Sequence, residues 1–322
     1  MVVLGKFHRD LMRSPRVQYP RNQTVAHGVG PRTAGRDQCS ALSVQRKAET
    51  DAVTRAPRRG FSQGCTLVVR DGDTLPGDAS TGMDFAILRL GAGKEWVEST
   101  RGETVLVLLG GSTEVRMNDA SYQASRASLF EQSPVTFHCG RGVALRVRAV
   151  SGPVEFALIR TANTRTLPLR CYQAGEVATE DRGAGLVQGA CRRLVRTIFD
   201  HGSRPDSNLV VGEVVNYPGR WSSYPGHHHP QPEIYHYRFT LPQGYGHAEA
   251  GEEVHKVRHG DTLRIRGGID HAQVSAPGYG MYYLWVVRHL PRRPYRGFTF
   301  SPEHRWLLDP AEQGWQPRLP SP

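Results

Sequence analysis

The sequence predicts an all-β protein made of two β domains in tandem, and three observations carry that expectation. The chain of 322 residues is about twice an ordinary domain. Its 35 Gly and 22 Pro break it at short intervals. Between the breaks lie short apolar and β-branched runs, with no sustained helical periodicity before residue 160.

Taken in order, residues 1–59 form a basic extension expected to be disordered. They hold 12 Lys and Arg against 4 acids, a net of +8, which leaves only +3 of the total +11 for the other 263 residues. A basic tail on a nearly neutral body argues against a nucleic-acid-binding fold, so no specific nucleic-acid partner is expected. Residues 1–47 share the Arg-rich, acid-poor composition of organelle transit peptides, but a disordered extension is the plainer expectation. Residues 60–162 read as the first β domain, with strands at 84–90, 104–109, 113–117, 143–150 and 154–159. Residues 163–204 are less patterned and read as a linker. Residues 205–290 read as the second β domain, with strands at 208–217, 233–240, 252–257, 262–265, 272–275 and 280–288. Residues 291–322 carry seven prolines, too many for a regular element, and are expected to form a strap partly packed on the body through Phe298, Phe300, Trp306 and Trp315.

Apolar runs such as 105–109 are far short of the ~20 residues that span a bilayer, so no membrane partner is expected. The five cysteines are scattered and never spaced C-x-x-C, which fits a reducing compartment and a cytoplasmic location.

The densest chemical signal is Trp221-Ser-Ser-Tyr-Pro-Gly-His-His-His-Pro-Gln-Pro-Glu233, followed by Gly260-Asp-Thr-Leu-Arg-Ile-Arg-Gly-Gly-Ile-Asp-His271. Side chains on a strand alternate faces, so His227 and His229 share one face and His228 points the other way. Glu233 opens a new strand with Tyr235, Tyr237 and Phe239 on its face. Two imidazoles, a carboxylate and His271 from a later strand make a donor set for a divalent metal: zinc first, with manganese, iron or nickel as alternatives. By the same alternation Arg238 lies opposite Glu233 in a solvated or interface position, and Arg264 and Arg266 face solvent.

These two blocks resemble the paired motifs of the cupin superfamily, with Arg266 and Ser275 where that pattern usually has Pro and Asn. The likeness narrows further. Val211-Gly-Glu-Val-Val, Gly219-Arg-Trp-Ser-Ser-Tyr-Pro-Gly, Glu233-Ile-Tyr-His-Tyr-Arg-Phe, Pro242-Gln-Gly-Tyr-Gly and Ala276-Pro-Gly-Tyr-Gly-Met-Tyr-Tyr-Leu are similar to the 5-deoxy-glucuronate isomerase family of bacterial inositol catabolism. Phe85-Ala-Ile-Leu-Arg-Leu-Gly-Ala-Gly, Val105-Leu-Val-Leu-Leu-Gly-Gly-Ser and Arg182-Gly-Ala-Gly extend the resemblance to the first half and linker. The related 4-deoxy-5-ketouronate isomerases of pectin breakdown share the design.

The resemblance implies a tandem cupin (bicupin) of jelly-roll β-barrels, assembled as a homo-oligomer, with metal held by His227, His229, Glu233 and His271. The first barrel lacks an H-x-H-x3,4-E string and is expected to be degenerate, with His138 structural. The implied reaction is an aldose–ketose isomerisation of 5-deoxy-D-glucuronate to 5-dehydro-2-deoxy-D-gluconate. Such a reaction needs a Lewis acid and a proton shuttle. Tyr235, Tyr237, Glu213 and Tyr282 or its neighbour Tyr283 are the shuttle candidates. The sugar acid also needs a cation for its carboxylate, for which Arg220 and Arg193 are the candidates, with Arg182 in a family-like string. An isomerase of another uronate, a cupin dioxygenase and a non-catalytic sugar-binding cupin are the competing readings.

Overall fold

The computed structural model describes residues 52–75, 79–312 and 314–318. The expected disorder of residues 1–51 lies outside the described residues. All strand pairings among the described residues are antiparallel. No described helix is long and apolar enough to cross a membrane.

The first half is organised around one long strand, Glu103–Met117. Two strands separated at Gly110-Gly111 were expected here. The chain instead runs through the glycines and bends. Its first part pairs with Thr136–Cys139 and Val154–Thr161, and its second part pairs with Ala120–Arg126 and Ala144–Ala149. Gly111 sits at φ +98°, and a Cβ there would stand 2.3 Å from the Pro153 carbonyl oxygen. A register shift between Glu155 and Phe156 marks the same bend. The glycines thus let one strand serve two layers of the nine-stranded sheet.

The second half contains two facing sheets. The seven-stranded sheet runs Val53–Thr54, Thr262–Ile265, Glu233–Phe239, Met281–Arg288, Leu209–Asn216, Arg193–Phe199 and Glu180–Arg182 in spatial order. The five-stranded sheet runs Glu253–Arg258, Tyr245–Ala250, His271–Ser275, Trp221–His228 and Thr299–Phe300. Tyr235, Tyr237, Phe239, Val214, Met281 and Tyr283 pack with Ala248 and Val257 in the core of this half, each large side chain contributing about 1.5–3 kcal/mol by burial.

Three segments depart from the expected organisation. Val53–Thr54, expected within the extension, pairs with Leu263 and Thr262, and Asp261 holds the next residues through the Arg55 guanidinium (2.7 Å) and the Ala56 N–H (2.9 Å). A two-residue strand carries too little pattern to be read locally. The stretch 163–204 contributes Arg193–Phe199 to the seven-stranded sheet. In the strap, Thr299–Phe300 pairs with His227 and His228, and Pro302–Leu308 forms a 3-10 helix.

The halves share one core. Val211, Ile234, Leu284 and Val286 of the second half cluster with Phe85, Val107 and Ile159 of the first. Strand Glu233–Phe239 is therefore buried on both faces, its odd-numbered side chains turned into the second half's own core and its even-numbered ones toward the first half. Arg238 follows the even set: it pairs with Glu155 of the first half, the interface role expected for it. Arg264 does not face solvent as expected. It is buried, because it lies opposite Ile234 on the strand face turned toward the first half, where its guanidinium reaches the Thr74 carbonyl at 3.5 Å.

Candidate functional site

Between the sheets of the second half lies a cavity of about 200 Å³. At one side of it His229, Glu233 and His271 converge, with one donor atom of each within 4.8 Å of the others. Local geometry explains the convergence. His229 follows strand Trp221–His228, and Pro230-Gln-Pro returns the chain so that Glu233 opens the next strand. His271 opens its own strand after the tight Gly267-Gly268 turn. That turn packs directly on the first: the Gly268 N–H donates to the His229 carbonyl (2.7 Å), and a Cβ on Gly267 would stand 2.0 Å from the Pro230 carbonyl oxygen. The two sequence blocks are thus fastened backbone to backbone, which fixes the separation of their side chains.

His229 Nε2 lies 3.1 Å and His271 Nε2 3.3 Å from the same carboxylate oxygen, Glu233 Oε2. His271 Nδ1 lies 3.2 Å from the Ile269 carbonyl, and donating there turns the Nε2 lone pair toward Glu233. This Nε2 is buried and has no hydrogen-bond partner. Burial pushes the Glu233 carboxyl up, but the two imidazoles beside it, His229 and His271, outweigh that and bring it to about 2. A wholly buried carboxylate faced by imidazole nitrogens, one of them orphaned, suits a divalent cation.

His227, expected as a fourth ligand, stands beside this trio without joining it. Its ring centroid is 4.5 Å from that of His271 and 4.1 Å from that of Phe298, and its Nδ1 is 3.2 Å from the Ser223 carbonyl. Burial lowers its pKa to about 3, so the ring is neutral and lines the cavity as a lone-pair donor. His228 points away, as its parity requires, and pairs with Asp270 at 2.7 Å.

Register sorts the remaining candidates. Tyr235 and Tyr283 line the cavity with their rings stacked 4.8 Å apart, and Val210, Val214 and Trp285 share that face. Tyr237 does not line it: its hydroxyl donates to Gln273 Oε1 (2.6 Å) deeper in the core. Glu213 and Tyr282 were expected near the chemistry and are not there. They sit on the opposite face of their strands, where the Glu213 carboxylate accepts two bonds from Arg126 and one from the Tyr282 hydroxyl, all at 2.7 Å. The Glu213–Arg126 pair is wholly buried and ties the two halves together. Arg193 lines the cavity with Arg182, whereas Arg220 is exposed in a turn, outside the cavity lining, with its N–H donating to the Tyr217 carbonyl and its own carbonyl accepting from Ser275 and Asn216. His138 is structural as expected, buried against Phe199 and bonded to Glu103 at 2.9 Å.

Sequence reasoning missed Tyr295. This strap residue places its ring edge-on to His229 at 4.9 Å and lines the cavity with Phe298 and Phe300. Nothing local announces it, since its role arises only when the strap folds back on the barrel.

Known proteins resemble this chain in sequence and in fold. The 5-deoxy-glucuronate isomerase of Geobacillus thermodenitrificans is 28% identical over 66% of this chain and 81% of its own length. That of Halalkalibacterium halodurans is 27% identical over 79% of this chain and 98% of its own. An IolB-like protein from Salmonella typhimurium superimposes with a TM-score of 0.63 at 27% identity, covering 70% of this chain and 90% of that one. Oxalate decarboxylase from Lactobacillus farciminis, at 13% identity and a TM-score of 0.55 over 74% of this chain and 85% of its own, shares the cupin-like all-β fold. A family model covers residues 56–307, taking in both halves, the trio and most of the strap, and by that match the chain belongs to the KduI/IolB family.

Proposed function

We propose that this isomerase of the KduI/IolB family converts 5-deoxy-D-glucuronate, the substrate named for its curated relatives, to 5-dehydro-2-deoxy-D-gluconate in inositol breakdown. The observation that carries the reading is the convergence of His229, Glu233 and His271 in a cavity walled by phenols. These three residues, with His227 beside them, would hold a divalent cation such as zinc, manganese, iron or nickel. Bound there, the cation supplies Lewis acidity toward the substrate carbonyl and its neighbouring hydroxyl.

The protein's own phenols can serve the transfer of the proton between the two oxygens. The isomerisation removes a proton from C2, returns one to C1, and moves the hydroxyl proton from O2 to O1. Tyr235 and Tyr295 are the phenols nearest the trio, and burial pushes both well above the ordinary range, so each carries its proton at neutral pH. Each can donate to a substrate oxygen and take a proton back from the neighbouring one. Phe298, Phe300 and Trp285 give the cavity its apolar lining.

The test is an NMR time course of metal-loaded protein with 5-deoxy-D-glucuronate in deuterated water. Loss of the C1 aldehyde-hydrate signal with growth of a C1 methylene beside a ketone supports the reading, and deuterium at C1 supports proton transfer through solvent-exchangeable groups. An unchanged spectrum with metal bound refutes the substrate.

A further inference from the structure

The cavity has a second pole. Strands Glu180–Arg182 and Arg193–Phe199 are paired so that Arg182 and Arg193 are directly opposite each other, and both side chains line the cavity. Like charges at directly opposed positions destabilise a sheet. The destabilisation is not relieved locally at Arg193. Its guanidinium is part-buried and makes one hydrogen bond, to the Cys191 carbonyl at 2.9 Å, and no ion pair among the described residues. Arg182 pairs with Glu180 in a half-exposed bridge that solvent screens. The cavity-lining carboxylate of Asp200 is engaged within its own turn, accepting the N–H and hydroxyl of Ser203. Gly183 makes room for the arrangement: at φ +78°, a Cβ there would stand 2.9 Å from Arg193 Nη1 and 2.4 Å from the Cys191 carbonyl oxygen.

A part-buried guanidinium without a counter-ion, opposite a second one and facing the cavity, is matched by an anion that arrives from outside the fold. We propose that Arg193 and Arg182 form a carboxylate-binding subsite that makes this cavity select an acidic sugar over its neutral counterpart. The inference rests on the reading of the cavity as a uronate isomerase site, and it assigns the two ends of the substrate: the carbonyl end at His229, Glu233 and His271, and the carboxylate at the arginine pair. Arg193 is the discriminating member, because it is the one without an acidic partner.

The experiment uses two ligands that cannot isomerise, both with C1 reduced to the alcohol, one carrying the C6 carboxylate and one the C6 amide. Titration calorimetry with the metal-loaded full chain should show the acid binding about 10- to 100-fold more tightly than the amide. In Arg193→Gln that preference should fall to within about threefold, and Arg182→Gln should lose part of it. The acid should also raise the melting temperature of the wild type by more than that of Arg193→Gln. Acid and amide binding alike to the wild type, no detectable acid binding, or Arg193→Gln weakening both ligands equally would overturn the subsite. If the acid preference depends on Arg193 while 5-deoxy-D-glucuronate is not turned over, the subsite stands and the proposed substrate falls.

Discussion

Replacing Glu213 separates a structural role from a catalytic one. Its carboxylate accepts two 2.7 Å bonds from Arg126 and one from Tyr282, and both members of the ion pair are 0% exposed. In Glu213→Ala the Arg126 guanidinium keeps only the Leu108 and Gln132 carbonyls and stays buried with its charge uncompensated. Breaking a buried pair in this way costs about 3–5 kcal/mol. At about 2–4 °C per kcal/mol for a chain of this size, the melting temperature should fall by about 6–20 °C. The double variant Arg126→Met/Glu213→Leu removes both charges and should recover more than half of that loss. Arg196, buried with its guanidinium 3.6 Å from the same carboxylate, also loses that counter-ion and keeps only carbonyl acceptors on Leu129, Phe130 and Gln132 and the Thr179 hydroxyl, so part of the loss remains in the double variant. The assay is thermal unfolding by circular dichroism alongside kcat of the folded fraction, which should stay within about threefold of wild type because Glu213 faces away from the cavity. A Glu213→Ala protein that keeps its melting temperature but loses kcat a hundredfold would refute the register argument and return Glu213 to the chemistry.

The other expectations concern the site and the strap. His271→Ala and Glu233→Gln should lose bound metal and activity together, whereas His228→Ala, which removes a half-exposed pair worth about 0–1 kcal/mol, should keep both; metal analysis by mass spectrometry reads this directly. Gly267→Ala must separate the two turns, since its Cβ would fall 2.0 Å from the Pro230 carbonyl oxygen. That variant should lose about 1–3 kcal/mol of stability and weaken metal binding in a titration, and unaltered metal affinity would contradict the fastening of the turns. His289 accepts the Tyr295 N–H at 2.9 Å, and burial lowers its pKa from 6.5 to about 4. The unfolded chain therefore binds this proton first. The contribution is intact above about pH 6.5 and is lost as pH falls toward about 4. Metal-free protein should melt progressively lower across that window, and His289→Gln should flatten the slope.

Much of the site was legible because its signals are local. H-x-H-x3-E and the later G-x2-H keep their spacing whatever the rest of the chain does, and strand alternation correctly turned His228 outward. Choosing between Tyr282 and Tyr283 or judging Glu213 required knowing which face of Leu209–Asn216 and Met281–Arg288 bears the cavity. Both faces of these strands are largely buried, so no alternation of polarity marks them. Arg193–Phe199 escaped notice because Arg193 and Arg196 interrupt its apolar run, each for a separate buried purpose. Tyr295 and Val53–Thr54 gain their meaning from partners far away in sequence, His229 and Leu263. Short-range pattern carries no record of such contacts.

The edge strand Thr299–Phe300 lies against His227 and His228, close to the end of the chain. During synthesis the trio can be made, and its strands can pair, while this wall of the cavity is still inside the ribosome. The pocket is closed only after residue 300 has emerged, about seventy residues after His229. Any shortening of the chain before that strand would therefore release a protein that keeps His229, Glu233 and His271 and whose cavity lacks one side.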